Sequence, residues 1–326
     1  MVDKYFYNTV LCQTFSPCGK YLFTGDIYGD IAIFDLPKIV NPGDSQSTEQ
    51  RKPKIRFTIN KDEQICSLVT TDNFLVCGSV GEITGWTWSN FMQSKIHTKP
   101  AWSIQLPKVK NSVEKSEVNC MWYDKATGLL YAGCGDNNIY VYSLEDGRLV
   151  RTMEGHENYI HSVHNQGTQL VSASEDGSVR LWDLRDNQVT NKIYPYQNEK
   201  LARPHLGKWV GAAALSDYWL LCGGGPRLAL WHLQSLDVTT VFPINDSGIH
   251  VVEFYEDRLL AGGESPFLYQ FNYNSEVFAE IPSSSTSVYS VVHQKEPHKV
   301  MCIAGSSPKI DLCTNFSYRD QVLSLY

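Results

Sequence analysis

Three residues of this chain have the chemistry of a hydrolytic triad. Ser172 offers a hydroxyl, His156 an imidazole and Asp176 a carboxylate, the set in which a base activates a nucleophile and an acid orients the base. Nucleophilic catalysis also needs donors for a developing oxyanion, and neither an oxyanion site nor a pocket is implied around them. His156, His161 and His164 raise the alternative of a metal site. On a strand, positions 161 and 164 face opposite sides because their separation is odd. No cysteine or carboxylate completes a ligand set, so no metal is expected. The run Cys222-Gly-Gly-Gly-Pro226 is glycine-rich, but no Lys-Ser/Thr follows and the next segment reads as a strand. It is expected to let a hairpin turn tightly rather than to cradle phosphate. Lys95, Lys99, Lys108, Lys110 and Lys115 are interleaved with Trp102 and preceded by Phe91, a pattern weakly suggestive of stacking on RNA. A net charge of −7 favours the plainer reading of a solvated, charged loop. No catalytic residue and no cofactor is therefore assigned.

The elements that must position these residues are short strands. The chain has 326 residues, 42% hydrophobic, 19% charged and 12% aromatic, which excludes a disordered tail and a coiled coil. Its nine cysteines include no C-x-x-C pair and mostly sit in apolar runs, such as Phe74 to Cys77 and Trp219 to Cys222. They read as buried thiols of a reducing compartment. The N-terminus lacks the basic start and apolar core of a signal peptide, and no uncharged apolar stretch approaches membrane-spanning length. A soluble intracellular protein is expected, without a small-molecule substrate.

The clearest segment runs from Gly155-His156 to Trp182-Asp183-Leu184 and reads as strand, turn, strand, Asp-Gly turn, strand. With Trp182 as a ruler, matching strands end at Phe34, Trp86, Tyr142, Trp231, Phe271 and Cys313, at spacings of 52, 56, 40, 49, 40 and 42. Seven units fill the chain, approximately 8–60, 61–107, 116–152, 153–200, 207–244, 246–282 and 286–326. A single small sheet cannot bury both of its faces, and radial stacking covers them. The fold expected is all-β, one domain over 1–326, a seven-bladed propeller. The last unit continues past Cys313 to Tyr326, so its fourth strand is expected from the C-terminal segment. The long spacings place insertions at 37–54, 91–116 and 185–208, where function can be grafted on the scaffold.

The segment 155–184 resembles a WD repeat, with GH and WD marks about 27 residues apart in a unit of about 40. In that family a His of the GH turn, a Ser of the middle strand, an Asp of the hairpin and the Trp of the third strand form a hydrogen-bonded chain. His156, Ser172, Asp176 and Trp182 match it, which implies a structural role for the apparent triad. Tyr28 and Ser307 stand where Asp176 stands, and Asp136 keeps the acid without a GH partner. Only the fourth unit is expected to hold the full network. The run Trp182-Asp183-Leu184-Arg185 also resembles the motif by which some propellers dock as substrate receptors on cullin ubiquitin ligases, an alternative function.

A narrower resemblance runs over nearly the whole chain, to the WD-propeller subunits of the THO assemblies of nuclear mRNA export. It rests on Arg203-Pro-His205, Gly207-Lys-Trp-Val-Gly211, Cys222-Gly-Gly-Gly-Pro226, Trp231-His-Leu233 and Thr239-Thr-Val-Phe-Pro-Ile244. Ser16-Pro-Cys-Gly-Lys20 and Tyr28 to Phe34 add to it, while 91–116 and 264–299 match poorly. The resemblance implies a noncatalytic scaffold in the nucleus, with the coiled-coil THO subunits 5 and 7 as neighbours, RNA contact indirect or weak, and no membrane. The segment before the fifth unit is rich in the residue types of interface hot spots. Arg203, Pro204, Lys208, Trp209, Tyr218 and Trp219 are expected in or beside a partner surface, with Trp209 and Trp219 equally readable as core because each lies near a strand, and with Arg203 exposed because a charge is seldom fully buried without a partner.

Overall fold

The computed structural model describes residues 4–41, 51–92, 99–108, 115–186, 188–244 and 247–326. Among these residues, 28 strands form seven antiparallel sheets of four, here called blades 1 to 7. Blade 1 is Val10–Phe15, Tyr21–Asp26, Asp30–Asp35 and Ile55–Thr58; blade 2 is Ser67–Thr70, Phe74–Gly78, Glu82–Thr87 and Trp102–Gln105. Blade 3 is Val118–Asp124, Leu129–Cys134, Ile139–Ser143 and Leu149–Met153; blade 4 is Ile160–Gln166, Gln169–Ser174, Val179–Asp183 and Gln188–Ile193. Blade 5 is Val210–Leu215, Trp219–Gly224, Ala229–His232 and Val238–Val241; blade 6 is Ile249–Tyr255, Arg258–Gly263, Phe267–Phe271 and Val277–Pro282. Blade 7 is Val288–Gln294, Val300–Gly305, Lys309–Cys313 and Gln321–Ser324, so its fourth strand comes from the C-terminal segment.

The third strands carry the ruler residues. Phe34, Trp86, Tyr142, Trp182, Trp231, Phe271 and Cys313 pair with Leu22, Leu75, Leu130, Leu170, Leu220, Leu259 and Met301 of the second strands. One register repeated in every blade keeps the same face of each sheet apolar. Second strands are buried almost throughout, as in Leu170 to Ser174, because sheets pack on both of their faces. Fourth strands are edges and stay half exposed, as in Gln188–Ile193. In blades 1, 4, 5, 6 and 7 the first strand bulges right after its first residue, which swings the next side chain out of the ladder. The second-to-third turn needs a left-handed residue, supplied by Gly177 (φ 88°) in blade 4 and by Asn137 (φ 73°) in blade 3.

Two compact units divide the chain, residues Met1–Val118 with Ile281–Tyr326, and residues Asn119–Glu280. The first carries blades 1, 2 and 7, with cores around Val10, Leu22, Phe34 and Leu312 and around Phe23, Ile65, Trp86 and Phe91. The second carries blades 3 to 6, with cores around Tyr131, Ile160 and Trp182, around Val171, Val210 and Trp231, and around Leu230, Phe242 and Phe271. The expected insertions are not all loop. Segment 185–208 contains the fourth strand of blade 4, and 91–116 the fourth strand of blade 2. Their polar, alternating sequences are what an edge strand needs, and the same features read as loop in the sequence. A short helix, Leu36–Val40, buries Leu36 and Ile39 at the start of the segment 37–54; residues 42–50 of it, and 93–98 and 109–114 of the next, lie outside the described residues.

Candidate functional site

Blade 4 brings His156, Ser172, Asp176 and Trp182 together. The Trp182 indole N–H donates to Ser172 Oγ at 2.9 Å, and Ser172 Oγ lies 2.7 Å from His156 Nε2. His156 Nδ1 lies 2.8 Å from Asp176 Oδ2. A carboxylate only accepts, so Nδ1 carries the ring proton and Nε2 accepts from the Ser172 hydroxyl. Asp176 also receives the Ser178 hydroxyl at 2.6 Å and the backbone N–H groups of Ser178 and Glu157 at 2.7 and 3.0 Å. Every proton thus has a direction, and the buried polar groups of His156, Ser172, Asp176 and Trp182 all have partners. Ser172 is 0% exposed, so its hydroxyl has no surface on which to meet a substrate. Ser172→Ala is expected to cost about 1–3 kcal/mol of stability, since it orphans the Trp182 N–H and the His156 nitrogen. Chemical denaturation checks the loss, and a variant as stable as the parent would show the chain of bonds to be idle.

Electrostatics agree with that proton arrangement. Burial pushes the His156 pKa down, and this outweighs the bond and charge of Asp176 acting the other way. For Asp176, burial pushes up, yet the bonds from His156, Ser178 and Glu157 hold it well below the usual carboxylate range. His164, on the first strand of the same blade, is pushed down to about 4 by burial. It packs on Trp122 with ring centroids 4.3 Å apart and accepts the Leu215 N–H at Nδ1, 3.1 Å away. A histidine whose folded pKa lies below the unfolded value of about 6.5 binds its proton more readily in the unfolded chain. Its contribution is present above pH 6.5 or so and is lost as pH falls toward the folded value. The term from His164 alone amounts to about 2 kcal/mol at pH 5. Urea unfolding at pH 7 and pH 5 is expected to show this loss, reduced in His164→Gln, which keeps an acceptor but not the titration. An unchanged pH slope in that variant would remove His164 from the account.

Arg203 is the first correction. It is 3% exposed rather than at the surface. Its Nε donates to the Gly225 carbonyl at 2.8 Å, and one terminal nitrogen donates to those of Gly224 and Pro226, each at 3.1 Å. The partner that licenses burial is the glycine-run turn itself, whose Gly224, Gly225 and Pro226 carbonyls converge on one guanidinium. The glycines are required by closeness as well. A Cβ on Gly224 would stand 2.2 Å from the Trp209 carbonyl oxygen, and one on Gly225 2.4 Å from that of Gly207.

The other five residues expected at a partner surface are not one patch. Pro204 and Lys208 are exposed and Trp209 half buried, just before strand Val210–Leu215; Tyr218 is exposed and Trp219 half buried, just after it. A six-residue strand holds the two groups roughly 20 Å apart. At the first end Trp209 lies in a row of aromatic rings. It stacks on His250 at 5.2 Å and 19°, meets His161 edge-on at 6.3 Å, and donates to the Leu206 carbonyl at 2.8 Å. His161 and His250 occupy the bulge position of blades 4 and 6, while blade 5 has Gly211 there and the Trp209 ring fills its place. His161 Nε2 is 2.9 Å from Glu175 Oε2, and Glu264 accepts the Gly248 N–H at 3.1 Å. At the second end Trp219 packs on His232 and Tyr273.

The remaining residues singled out in the sequence fall as follows. In the alternative docking motif Trp182 is buried, and Arg185 folds back on Asp183, Nε to Oδ1 at 2.9 Å, holding that carboxyl down to about 2. Phe91 is 4% exposed and packs on Phe23 and Phe57, so it offers no face to a base. Trp102 lies against Phe74 and over Gly85. Lys99, Lys108 and Lys115 are exposed, and Lys95 and Lys110 lie outside the described residues. All nine cysteines are free thiols, six of them buried, and burial lifts Cys66, Cys222 and Cys313 to about 12. Among the described residues no group of three His, Cys, Asp or Glu has the geometry of a metal site, and no helix is long and apolar enough to cross a membrane.

Three buried carboxylates, Asp26, Asp30 and Asp311, went unread in the sequence because none stands at the Asp176 position. Asp26 in blade 1 accepts from the Asn8 side chain at 2.7 Å and from the Tyr28 and Asp30 N–H groups at 3.0 and 2.9 Å. Asp311 in blade 7, 0% exposed, binds the Ser284 hydroxyl and N–H at 2.6 Å each, Ser283 at 3.0 Å and Arg319 at 3.2 Å. The signal available was the run Ser283-Ser-Ser285 beside an Asp inside an apolar third strand.

Repeated four-stranded blades, with one complete GH-to-WD network among the described residues, define the class: this is an all-β, seven-bladed WD-repeat β-propeller. The family described as "WD domain, G-beta repeat" matches residues 147–183, from the fourth strand of blade 3 through the third strand of blade 4, a span that includes the network. The chain is 38% identical over 322 residues to THO complex subunit 6 of Drosophila melanogaster, covering 98% of this chain and 90% of that protein. It is 38% identical over 320 residues to the THO complex subunit 6 homolog of Danio rerio, covering 97% of each, and 37% identical to THO complex subunit 6 of Homo sapiens, covering 97% of this chain and 92% of that protein. The chain belongs to the THO complex subunit 6 family.

Proposed function

We propose that this protein is a noncatalytic scaffold subunit of a nuclear THO/TREX assembly, coupling transcription and processing to mRNA export. The observation that carries the reading is similarity along nearly the full length to relatives named for a THO complex. In this reading the seven repeat units over 1–326 act as one domain, the blade 4 network serves stability rather than chemistry, and no cofactor is used. Its neighbours are the coiled-coil subunits 5 and 7, and RNA is touched indirectly or weakly. Of the residues expected at an interface, Lys208 and Trp209 form the favoured contact, because a partly buried Trp beside an exposed cation combines apolar area with a polar rim.

Affinity purification of the tagged protein from nuclear extract, with partners identified by mass, tests the reading. Copurification of the coiled-coil THO subunits is expected, reduced by Trp209→Ala and Lys208→Glu and unchanged by Tyr218→Ala. A cullin adaptor in place of THO subunits would favour the docking motif at Trp182, Asp183 and Arg185 and overturn the proposal.

A further inference from the structure

Arg180 and Lys192 stand directly opposite each other on the third and fourth strands of blade 4. Like charges at opposed positions of an antiparallel pair repel, and the counter-charge nearest to Arg180 among the described residues is the Asp176 carboxylate. Arg180 is 4% exposed. Among the described residues its side chain makes one hydrogen bond, Nε to Ser178 Oγ at 3.4 Å, and a terminal nitrogen pairs with Asp176 Oδ2 at 3.8 Å, beyond hydrogen-bond range. A guanidinium carries five N–H donors, so most of its bonding capacity is unspent, and the Asp176 oxygens are already occupied by His156, Ser178 and Glu157. Lys192 is exposed and makes no hydrogen bond or ion pair with any described residue. Both cations line a groove of about 560 Å³, together with Thr152, Glu154, Gln188 and Asn191. Its walls include the fourth strands of blades 3 and 4, Leu149–Met153 and Gln188–Ile193, which are sheet edges.

We propose that this groove is a binding site for an acidic peptide segment of a partner protein, one carboxylate of which bridges Arg180 and Lys192. A planar carboxylate can accept two parallel N–H bonds from a guanidinium, and it would relieve the cation pair that the free blade carries. Two edge strands suit an extended peptide, since they present unpaired backbone groups beside the charge. The charge balance favours a monoanion over a phosphate. Asp176 already offsets part of Arg180, and Glu154 on the groove wall would repel a dianion more strongly. The site stands against the net charge of −7, so its attraction is local. It goes beyond the scaffold reading, and its failure would leave membership of a THO assembly untouched.

The test is fluorescence anisotropy with fluorescein-labelled tetraglutamate, against tetraglutamine and a phosphoserine peptide of equal length. The intact chain is expected to bind tetraglutamate and not tetraglutamine. Lys192→Gln should weaken binding about tenfold, as for a charge-assisted contact at the mouth of a site, and Lys309→Gln, a cation elsewhere, should not change it. Arg180→Gln should abolish binding if it folds. Lys192→Glu is the variant that separates site from fold: it turns the repelling pair into an attracting one, so its melting temperature should equal or exceed the parent's while tetraglutamate binding is lost. Binding by Lys192→Glu as tight as the parent's, no binding by the parent, or preference for the phosphoserine peptide would each overturn the proposal.

Discussion

Trp182→Ala is expected to lower the unfolding free energy by about 3–5 kcal/mol, the cost of emptying a large aromatic site in a packed core, and to lose a further increment that Trp86→Ala does not. Both indoles are 2% exposed, so the transfer and cavity terms are comparable. Their polar ends differ. The Trp86 N–H donates to Thr84 Oγ1 at 3.1 Å, two residues away on its own strand. The Trp182 N–H ends a chain that ties the GH turn, the second strand and the hairpin together through Ser172, His156 and Asp176. Removing it leaves a buried hydroxyl with one partner fewer, a penalty of about 1–3 kcal/mol for such a group. Denaturant titration of the two variants, each with and without Ser172→Ala, separates the terms. Trp182→Ala and Ser172→Ala should be markedly non-additive, whereas Trp86→Ala and Ser172→Ala, in different blades, should add. Equal losses for the two tryptophans with additivity in both pairs would dismiss the network as a source of stability.

Arg203→Glu should prevent accumulation of the folded protein rather than merely weaken a contact. The three carbonyls of Gly224, Gly225 and Pro226 converge on the guanidinium, and a carboxylate placed there would face acceptors with no donor of its own. Removing one side of a buried charged arrangement costs about 3–5 kcal/mol, and reversal adds repulsion to that loss. Arg203→Lys should be intermediate, because an ammonium keeps the charge but not the planar fork. Tyr218→Ala, 68% exposed, should stay within about 0.5 kcal/mol of the parent. Soluble yield and thermal melting measured by circular dichroism decide it. A folded Arg203→Glu protein melting like the parent would show that the turn does not depend on this side chain.

The architecture was legible in the sequence because a propeller blade is a local object. A period of 40 or more residues, third strands ending in Phe, Trp, Tyr or Cys, and an Asp-Gly turn all lie within one blade, and repetition makes each a check on the next. The blade 4 network was legible for the same reason, since His156, Ser172, Asp176 and Trp182 span 27 residues. Tertiary structure alone decided where polar side chains point. Arg203 reads as a surface charge until the chain folds back and sets three carbonyls of a later turn around it. Trp209 and Trp219 look like neighbours in sequence, yet strand Val210–Leu215 carries them to opposite ends of a blade. Arg180 looks like an ordinary residue of an apolar third strand, and only the register opposite Lys192 shows two cations facing one another over a groove. Periodicity records which face of an element is apolar, through the cost of exposing it. It carries no record of which distant backbone or charge meets a polar atom, because those partners are set by strand register and blade packing.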